Sequence, residues 1–233
     1  MKAALELLYP RRCEGCRTSP EGDAKYICWE CMASFTAVRE PFCMTCGDPV
    51  EGRVDVEFLC HTCHKASPAF DCARSAYRFD GVLKDILHLY KYGQAQWLAE
   101  DLATFLHGCI LGQFEQDELT LVCAVPLHRL RLRERGYNQS ALLAKNLAAR
   151  LGKPYRHVLR RVRSTQTHTN LTARDRVTNV VGAFEVKRAQ HVKGQRVLLV
   201  DDVMTTGATA SECSRALKSA DASAVSVVTV ARG

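Results

Sequence analysis

Four C-x-x-C pairs lie within the first 63 residues of this 233-residue chain and restrict what that part can fold into. They account for eight of the twelve cysteines. A C-x-x-C turn brings two thiolates to one metal ion, and a second turn completes a tetrahedral set of four sulfurs that suits Zn²⁺. Two structural zinc ions are therefore predicted. Their ligands would be Cys13, Cys16, Cys28, Cys31, Cys43, Cys46, Cys60 and Cys63.

The order of the pairs favours sequential pairing, with the first two turns on one zinc and the last two on the other. Gaps of 11 and 13 residues separate the turns within the two halves, which is the length of a short hairpin in a zinc ribbon. Crossed pairing, in which Cys13 and Cys16 share a metal with Cys43 and Cys46, stays open. Redox pairs, an iron–sulfur cluster and disulfides fit less well, because a redox C-x-x-C normally stands alone on a βα unit.

The metal is expected to be structural. A segment of about seventy residues with few aliphatic side chains cannot bury a sufficient core, so zinc would supply its folding free energy. His61 and His64 could each replace a thiolate, although histidines beside a zinc knuckle usually face solvent. The isolated cysteines are predicted to be small buried hydrophobic residues; they are Cys72, Cys109, Cys123 and Cys213.

The overall composition is that of a globular protein, with 47% hydrophobic and 24% charged residues. It excludes disordered and collagen-like chains. The apolar runs are far shorter than the ~18 residues that cross a bilayer. Residues 1–13 resemble a short helix with Glu6 in its middle and lack the features of a signal peptide. We expect no membrane span and a cytoplasmic location.

The net charge of +7 is concentrated between residues 126 and 176, where thirteen basic residues face two acidic ones. The remainder of the chain is mildly acidic. A positive segment of this kind attracts polyanions such as nucleic acid, nucleotides or pyrophosphate. The alternative is a solvated basic face that only keeps the protein soluble.

From residue 80 onward the apolar pattern predicts alternating helices and strands. Two packed helices are predicted between residues 80 and 106, and further helices over 138–151 and 209–219. Short, mostly apolar strands are predicted at 119–125, 181–186, 196–200 and 224–230. Such strands, separated by helices, indicate a parallel sheet covered on both faces. Ligands of these sheets bind at the carboxyl ends of the strands.

The segment VLLVDDVMTTGAT, residues 197–209, is the strongest candidate site. A buried strand ends in Asp201 and Asp202, and a turn with threonines and Gly207 then opens a helix. Backbone N–H groups at a helix start can bind phosphate, and carboxylates can accept hydrogen bonds from sugar hydroxyls or face Mg²⁺. A helix cap alone would not require two carboxylates and three threonines. The segment therefore predicts a site for a sugar phosphate.

The same thirteen residues match the phosphoribosyl pyrophosphate (PRPP) signature of type I phosphoribosyltransferases at every position. The match continues through the paired cysteines, KYG at 91–93, VP at 125–126, RGYNQ at 135–139, TQT at 165–167 and GAF at 182–184. This ordered set resembles the ComF family of competence-associated proteins, related to the GntX type, over nearly the whole chain. The resemblance implies an α/β protein with a double zinc-ribbon domain, residues 1–71, and a type I phosphoribosyltransferase fold, residues 72–233.

The resemblance also implies roles for individual residues. Asp201 and Asp202 would hold the ribose hydroxyls, and residues 164–179 would form a mobile flap over the ligand. Mg²⁺ would bridge the ribose hydroxyls and the diphosphate of PRPP, brought largely by the ligand. The 5′-phosphate would be bound by Thr205, Thr206, Gly207, Ala208 and Thr209, and the diphosphate by Arg129, Arg133 and Arg135 in a loop over 126–136, with Arg131 sharing the task.

Two classes of function are open. In the first, as the resemblance implies, the protein binds PRPP or a related nucleotide and single-stranded DNA during DNA uptake and natural transformation, with a helicase-like DNA-processing protein as partner. The basic segment would track phosphates, and Tyr92, Tyr137 and Tyr155 could stack on bases.

The alternative is an active phosphoribosyltransferase that transfers phosphoribose from PRPP to a nitrogenous acceptor in nucleotide metabolism. Arginines on the departing diphosphate and carboxylates near the cationic sugar would stabilise the separated charge. Candidate general bases for this reaction are Asp202, His128 and His168.

Overall fold

A four-stranded parallel sheet lies at the centre of the second part of the chain. The computed structural model describes residues 11–20, 25–50, 52, 58–163 and 178–233. Two short strands, β3 (Leu159–Arg161) and β4 (Phe184–Val186), form a separate antiparallel pair, so the strand predicted over 181–186 does not join the parallel sheet. The sheet has the order β1-β6-β5-β2 and consists of β1 (Cys72–Arg78), β2 (Leu121–Ala124), β5 (Arg196–Met204) and β6 (Ala224–Arg232). All its pairings are parallel, as the mostly apolar strands predict.

Helices alternate with these strands. The predicted helix over 138–151 is confirmed; it begins where the Asn138 side chain accepts a hydrogen bond from the Ser140 N–H (3.1 Å) and ends at Gly152, whose backbone is left-handed. The α-helices whose two ends both lie in the described residues are α1 (Trp29–Ala33), α2 (His61–Lys65), α3 (Gly81–Tyr92), α4 (Ala99–Gln113), α5 (Arg129–Arg135), α6 (Gln139–Leu151) and α7 (Ala208–Lys218).

Both faces of the sheet are covered, as the sequence predicts. Helices α3, α4 and α6 pack on one face, where Leu102 and Leu143 are fully buried in one apolar cluster with Leu198 of β5. Helix α7 covers the other face, where Cys213 packs with Cys123 of β2. These two cysteines are fully buried, as predicted, whereas Cys72 and Cys109 are only partly buried.

The cysteine-rich segment covers the outer edge of the sheet at β1. The N–H of Val38 donates to the carbonyl of Ala76 (3.0 Å), and the N–H of Ala73 donates to the carbonyl of Thr45 (2.7 Å). An open strand edge can pair with other chains, so this contact protects the sheet. It also joins the two parts of the molecule by backbone hydrogen bonds.

Strand β1 has no counterpart among the strands predicted from the sequence, because two of its inner residues are polar. Arg74 is buried and donates through Nη1 to the carbonyl of Met44 (2.9 Å). Ser75 is buried and shares a hydrogen bond with the hydroxyl of Thr229 (2.6 Å). The partners that make this strand possible come from the cysteine-rich segment and from β6, both distant in sequence.

Residues 129–135 form helix α5 where a loop was expected. The ring of His128 accepts a hydrogen bond from the Leu130 N–H (3.4 Å), and Gly136 ends the helix with φ of 82°. Strand β5 continues through Met204, so Asp201 and Asp202 lie within the strand rather than after it. The helix predicted to end near 106 reaches Gln113.

Two sequence predictions lie outside the described residues. The helix-like turn falls largely on residues 1–10, and most of the flap expected over 164–179 falls on residues 164–177. Among the helices that are described, none combines the length and the apolar composition needed to cross a membrane.

Candidate functional site

The eight paired cysteines form two clusters, each with its sulfur atoms close enough for one metal ion. The ligand atoms of each cluster lie within 4.8 Å of one another. Sγ–Sγ distances of 3.5 and 3.6 Å are close to the about 3.8 Å expected in a tetrahedron with Zn–S bonds of about 2.3 Å. The clusters are Cys13, Cys16, Cys28 and Cys31, and Cys43, Cys46, Cys60 and Cys63. They fit two structural zinc sites and confirm sequential pairing; within the described chain, neither His61 nor His64 joins a cluster.

Hydrogen-bond donors surround the sulfur atoms. The N–H of Cys28 donates to Cys13 Sγ (3.3 Å). From β6, Arg232 places Nη2 at 3.8 Å from Cys46 Sγ, while its Nε donates to Asp48 (2.9 Å). Such donors favour the thiolate form that binds zinc. The second cluster is thereby tied directly to the central sheet.

A cleft of about 350 Å³ opens at the carboxyl ends of the central strands. This is where an α/β sheet is expected to bind its ligand. The cleft is lined by residues 201–210, by residues 125–128 after β2 and by side chains from α3, α5 and α6. The predicted site residues that line it are Asp201, Asp202, Thr205, Thr206, Gly207, Ala208, Thr209 and Arg135, whereas Arg129 and Arg133 do not.

The two carboxylates of the cleft have different partners. Asp202 is buried, and its Oδ2 lies 2.9 Å from Lys91 Nζ. Asp201 Oδ1 accepts hydrogen bonds from the Ser140 hydroxyl (2.7 Å) and from the Asp202 N–H (3.0 Å). Burial and the neighbouring Asp202 carboxylate raise the pKa of Asp201 to about 7. Near neutral pH this side chain can therefore exist in either protonation state.

Lys91 lines the cleft and pairs with Asp202, and the sequence analysis assigned it no role. Burial opposes its charge, but the attraction of Asp202 and then Asp201 outweighs that effect and raises the pKa of the ammonium group. Lys91 thus stays cationic and neutralises one of two adjacent carboxylates. In the sequence, Lys91 is marked only by the motif KYG at 91–93. Ser140, which contacts Asp201, directly follows the motif RGYNQ at 135–139.

The turn between β5 and α7 presents backbone and hydroxyl donors to the cleft. Gly207 has φ of +74°, a conformation that favours glycine, directly before the first residue of α7. Thr206 Oγ1 accepts a hydrogen bond from the Ala208 N–H (3.4 Å). Thr205, Thr206 and Thr209 are partly buried in the wall. Since N–H groups in the first turn of a helix lack intrahelical partners, this turn can bind an anion.

The arginines of α5 divide between two faces of the helix. Arg131 and Arg135 line the cleft, and residues four apart share a helix face. Arg129 and Arg133 form the other such pair and are exposed outside the cleft. The spacing of residues along a helix therefore explains why two of these four arginines face the cleft and two do not. Arg135 is held in place by a 2.6 Å hydrogen bond to Gln139 Oε1.

Only some of the candidate general bases and of the tyrosines considered for stacking line the cleft. His128 lines the cleft while capping α5, and His168 lies outside the described residues. His88, which the sequence analysis did not single out, lines the cleft as well. Of the three tyrosines considered for stacking, Tyr92 lines the cleft, Tyr137 is buried, and Tyr155 packs against a histidine elsewhere.

Comparison with known proteins matches the cysteine-rich segment and the segment with the cleft to two different kinds of domain. A family model of the double zinc ribbon domain matches residues 4–65, and one of the phosphoribosyl transferase domain matches residues 138–233. Competence protein F of Haemophilus influenzae is 29% identical over 226 residues, which cover 95% of this chain and 96% of that protein. DNA utilization protein YhgH of Salmonella typhimurium is 31% identical over 219 residues, which cover 86% of this chain and 94% of that protein.

A solved structure of glutamine PRPP amidotransferase from B. subtilis, complexed with ADP and GMP, also aligns with the chain. The alignment covers 57% of this chain and 26% of that one, with 22% identity and a TM-score of 0.39. That score is too low to carry site residues across. The long sequence matches, the two domain models and the paired cysteines agree with one another. The chain belongs to the ComF/GntX family, with a double zinc ribbon followed by a phosphoribosyltransferase domain.

Proposed function

We propose that the cleft binds a phosphoribosyl compound, PRPP or a related nucleotide, and that the protein handles single-stranded DNA during DNA uptake. One observation carries the first part: Asp201, Asp202 and the turn 205–209 share one cleft with Arg131 and Arg135. Acceptors for ribose hydroxyls and donors for phosphates therefore face one space. Its volume of about 350 Å³ lies in the range of about 300–1,000 Å³ found for small-molecule sites.

Each group has one task in this proposal. Asp201 and Asp202 accept hydrogen bonds from the ribose hydroxyls, and the turn 205–209 binds the 5′-phosphate through its N–H groups and threonines. Arg131 and Arg135 bind the diphosphate of PRPP. Because Arg135 is already anchored on α6, little side-chain freedom is lost when the ligand binds. Arg129 and Arg133 have no part in the cleft.

Mg²⁺ would arrive with PRPP and neutralise charge on its diphosphate. The residues present fit an ion held largely by the ligand. Lys91 already neutralises Asp202, with 2.9 Å between Nζ and Oδ2. Asp201 would then be the carboxylate that faces the ion or a water molecule bound to it.

Calorimetric titration of the zinc-loaded protein with Mg-PRPP tests the cleft. At a pH above about 7, where Asp201 is ionised, Asp201→Asn keeps the shape of the side chain but removes its charge. Hydrogen bonds to charged groups contribute about 1.5–3 kcal/mol. We expect affinity to fall roughly 10- to 100-fold. Asp71→Asn, on the surface, is the control and should leave affinity unchanged. Failure of the wild-type protein to bind, or unchanged binding by Asp201→Asn, would contradict the assignment.

The DNA part of the proposal is supported by the exposed arginines of α5 and by the names of two relatives, Competence protein F and DNA utilization protein. Arg129 and Arg133 are exposed beside the cleft and make no ion pair with any other described residue. Their charge is available to the phosphates of a single strand. Arg160, in the same basic segment, is instead paired with Glu185 at 2.7 Å.

A DNA chain fits the ribose site poorly. A 5′-terminal deoxynucleotide has no 2′-hydroxyl, and its 3′ oxygen is esterified, so neither position can donate to Asp201 or Asp202. We therefore assign free phosphoribosyl compounds to the cleft and DNA to the outer face of α5.

Arg129→Gln combined with Arg133→Gln tests the DNA surface. The double variant should weaken oligonucleotide binding and reduce the slope of log K against log salt by about 1.4, since each lost contact to a single strand removes about 0.7. Arg160→Gln is a matched control, because its charge is already paired, and should change the slope little. An unaltered slope in the double variant would move the DNA site elsewhere.

An active phosphoribosyltransferase is the second candidate, favoured by the position of Arg131 and Arg135 in the cleft of the ribose carboxylates. In that reaction a nitrogen nucleophile bonds to the anomeric carbon, and the diphosphate leaves with the electron pair of the broken C–O bond. The two arginines would stabilise the charge on the leaving group. PRPP-dependent pyrophosphate release that Asp201→Asn abolishes would support turnover, and its absence with every base supplied would argue for binding alone.

A further inference from the structure

The turn proposed to bind phosphate, residues 205–209, packs against the chain that leaves the second zinc cluster. Phe70 is buried and lies between α2, which carries the last cysteine of that cluster, and β1. A Cβ built on Gly207 would lie 3.7 Å from both Cε1 and Cζ of Phe70, so the ring lies directly beside the turn. The N–H of Ala69 donates to the hydroxyl of Ser211 in the first turn of α7 (3.0 Å). Residues 69 and 70 thus support both the turn and the helix that follows it.

The Phe70 ring shares an apolar cluster with ligands of the second zinc. Met204, at the end of β5, and Ala210, early in α7, belong to that apolar cluster. It also contains the buried cysteines Cys43, Cys46 and Cys63. Because a protein interior is close-packed and transmits strain, a change in the position of these cysteines is felt at the turn.

A second connection between the zinc cluster and the turn runs through the end of β6. Arg232 reaches the cluster, with Nη2 3.8 Å from Cys46 Sγ. The N–H of the next residue, Gly233, donates to the carbonyl of Met204 (3.0 Å), directly before the turn. This connection ends where the turn begins, and the Phe70 ring lies beside the glycine of the turn. The second cluster is therefore joined to the turn at two points.

The first zinc cluster packs elsewhere. Three of its cysteines are buried with residues of α3 and α4, and the N–H of Tyr26 donates to Asp101 Oδ2 of α4 (2.8 Å). Phe35, which follows α1 in the chain, packs edge to face with Phe105 of α4 at 5.7 Å. The first cluster is attached to helices on one face of the sheet, and the second to the turn at the carboxyl end of β5. The two clusters can therefore be compared within one molecule.

We propose that Phe70 is a positioning residue through which zinc at the second cluster and a phosphate group in the turn 205–209 favour each other's binding. The inference rests on the proposed function and adds a form of regulation to it. Phosphate is bound more tightly when the N–H groups of the turn are already held in place. Coupling between two sites is reciprocal, so if zinc favours phosphate binding, phosphate favours zinc binding by the same factor. The first cluster should not share this coupling.

Ribose 5-phosphate is the probe for this coupling, because it carries the phosphate without a diphosphate or a base. The protein is equilibrated in a series of chelator-buffered zinc concentrations, and free thiols are then alkylated briefly with N-ethylmaleimide. Peptide mass spectrometry reports the free zinc concentration at which each cluster is half filled. With saturating ribose 5-phosphate, this midpoint should fall roughly five-fold or more for the second cluster and stay unchanged for the first. Ribose without phosphate should shift neither midpoint.

Phe70→Leu and Phe35→Leu form a matched pair of variants, because each replaces one buried ring beside one of the two zinc clusters. Phe70→Leu should weaken the binding of ribose 5-phosphate, measured by calorimetry, roughly five-fold and should remove most of the shift in the second midpoint. Phe35→Leu should leave both unchanged. The wild-type midpoints test the coupling without any substitution, so the proposal does not depend on how well Phe70→Leu folds.

The outcomes separate this inference from the proposed function. If ribose 5-phosphate binds but leaves the second midpoint unchanged, the coupling is absent and the phosphate site stands. If both midpoints shift equally, or if Phe35→Leu acts like Phe70→Leu, the effect is one of general stability and the positioning role is wrong. If ribose 5-phosphate does not bind the zinc-loaded protein, the proposed function fails and this inference fails with it.

Discussion

Removal of the Lys91 ammonium group is expected to be strongly destabilising, because it leaves the Asp202 carboxylate buried without its counter-charge. Nζ and Oδ2 lie 2.9 Å apart, and the Asp202 side chain is only 4% exposed. Breaking a buried ion pair by removing one partner costs about 3–5 kcal/mol. The Lys91 side chain is 20% exposed, so solvent screens part of the interaction. We therefore expect Lys91→Met to lower the free energy of unfolding by about 3 kcal/mol.

Thermal unfolding of the zinc-loaded protein measures this loss. At roughly 2–4 °C per kcal/mol for a chain of this size, Lys91→Met should lower Tm by about 6–12 °C near neutral pH.

The pair of Lys218 and Asp71 provides the matched control. The same two residue types lie 2.6 Å apart there, with side chains 38% and 48% exposed. An exposed pair contributes at most about 1 kcal/mol, so Lys218→Met should lower Tm by no more than about 4 °C. Equal losses in the two variants, or a loss below about 1 kcal/mol in Lys91→Met, would refute the reasoning from burial.

Three further predictions concern the zinc sites and Asp201. Metal analysis should find two zinc ions per chain, one for each cluster, and chelation should unfold the ribbons; a folded, metal-free ribbon would contradict this. Arg232→Met should weaken zinc binding by the second cluster roughly ten-fold and spare the first, since Nη2 lies 3.8 Å from Cys46 Sγ; equal release in a chromophoric chelator assay would exclude the coupling. Burial raises the pKa of Asp201 from 3.8 to about 7, so the folded protein binds this proton more tightly than the unfolded chain does. The free energy of unfolding therefore falls as the pH rises from the lower of these values to the higher. Wild type should therefore lose stability relative to Asp201→Asn between about pH 4 and 7, and parallel curves would exclude the raised pKa.

Sequence reasoning succeeds where local pattern and spacing fix the structure. The paired cysteines predict two zinc clusters and favour their sequential pairing, because each C-x-x-C turn is a local unit. The parallel sheet and the helix over 138–151 follow from apolar periodicity and from the capping residues Asn138 and Gly152. The PRPP signature places the carboxylates beside a helix start with no long-range information.

The remaining features depend on contacts between residues distant in sequence. Arg74 and Ser75 make the sequence of strand β1 look polar. The strand could not be predicted because the hydrogen-bond partners of these residues belong to the zinc ribbon and to β6. Lys91 and Asp202 are brought together only by the packing of α3 beside the carboxyl end of β5. The division of the arginines in residues 129–135 likewise requires the knowledge that this segment is a helix. Tertiary structure, rather than local propensity, assembles this part of the site.

Titration of a labelled single-stranded oligonucleotide at fixed salt, with and without excess Mg-PRPP, most directly tests whether one domain offers separate sites for a phosphoribosyl ligand and for DNA. The separation of the exposed Arg129 and Arg133 from the cleft predicts that the oligonucleotide binds and that Mg-PRPP does not displace it. Displacement by Mg-PRPP would place DNA in the cleft, and an oligonucleotide that does not bind at all would remove the DNA function from this surface.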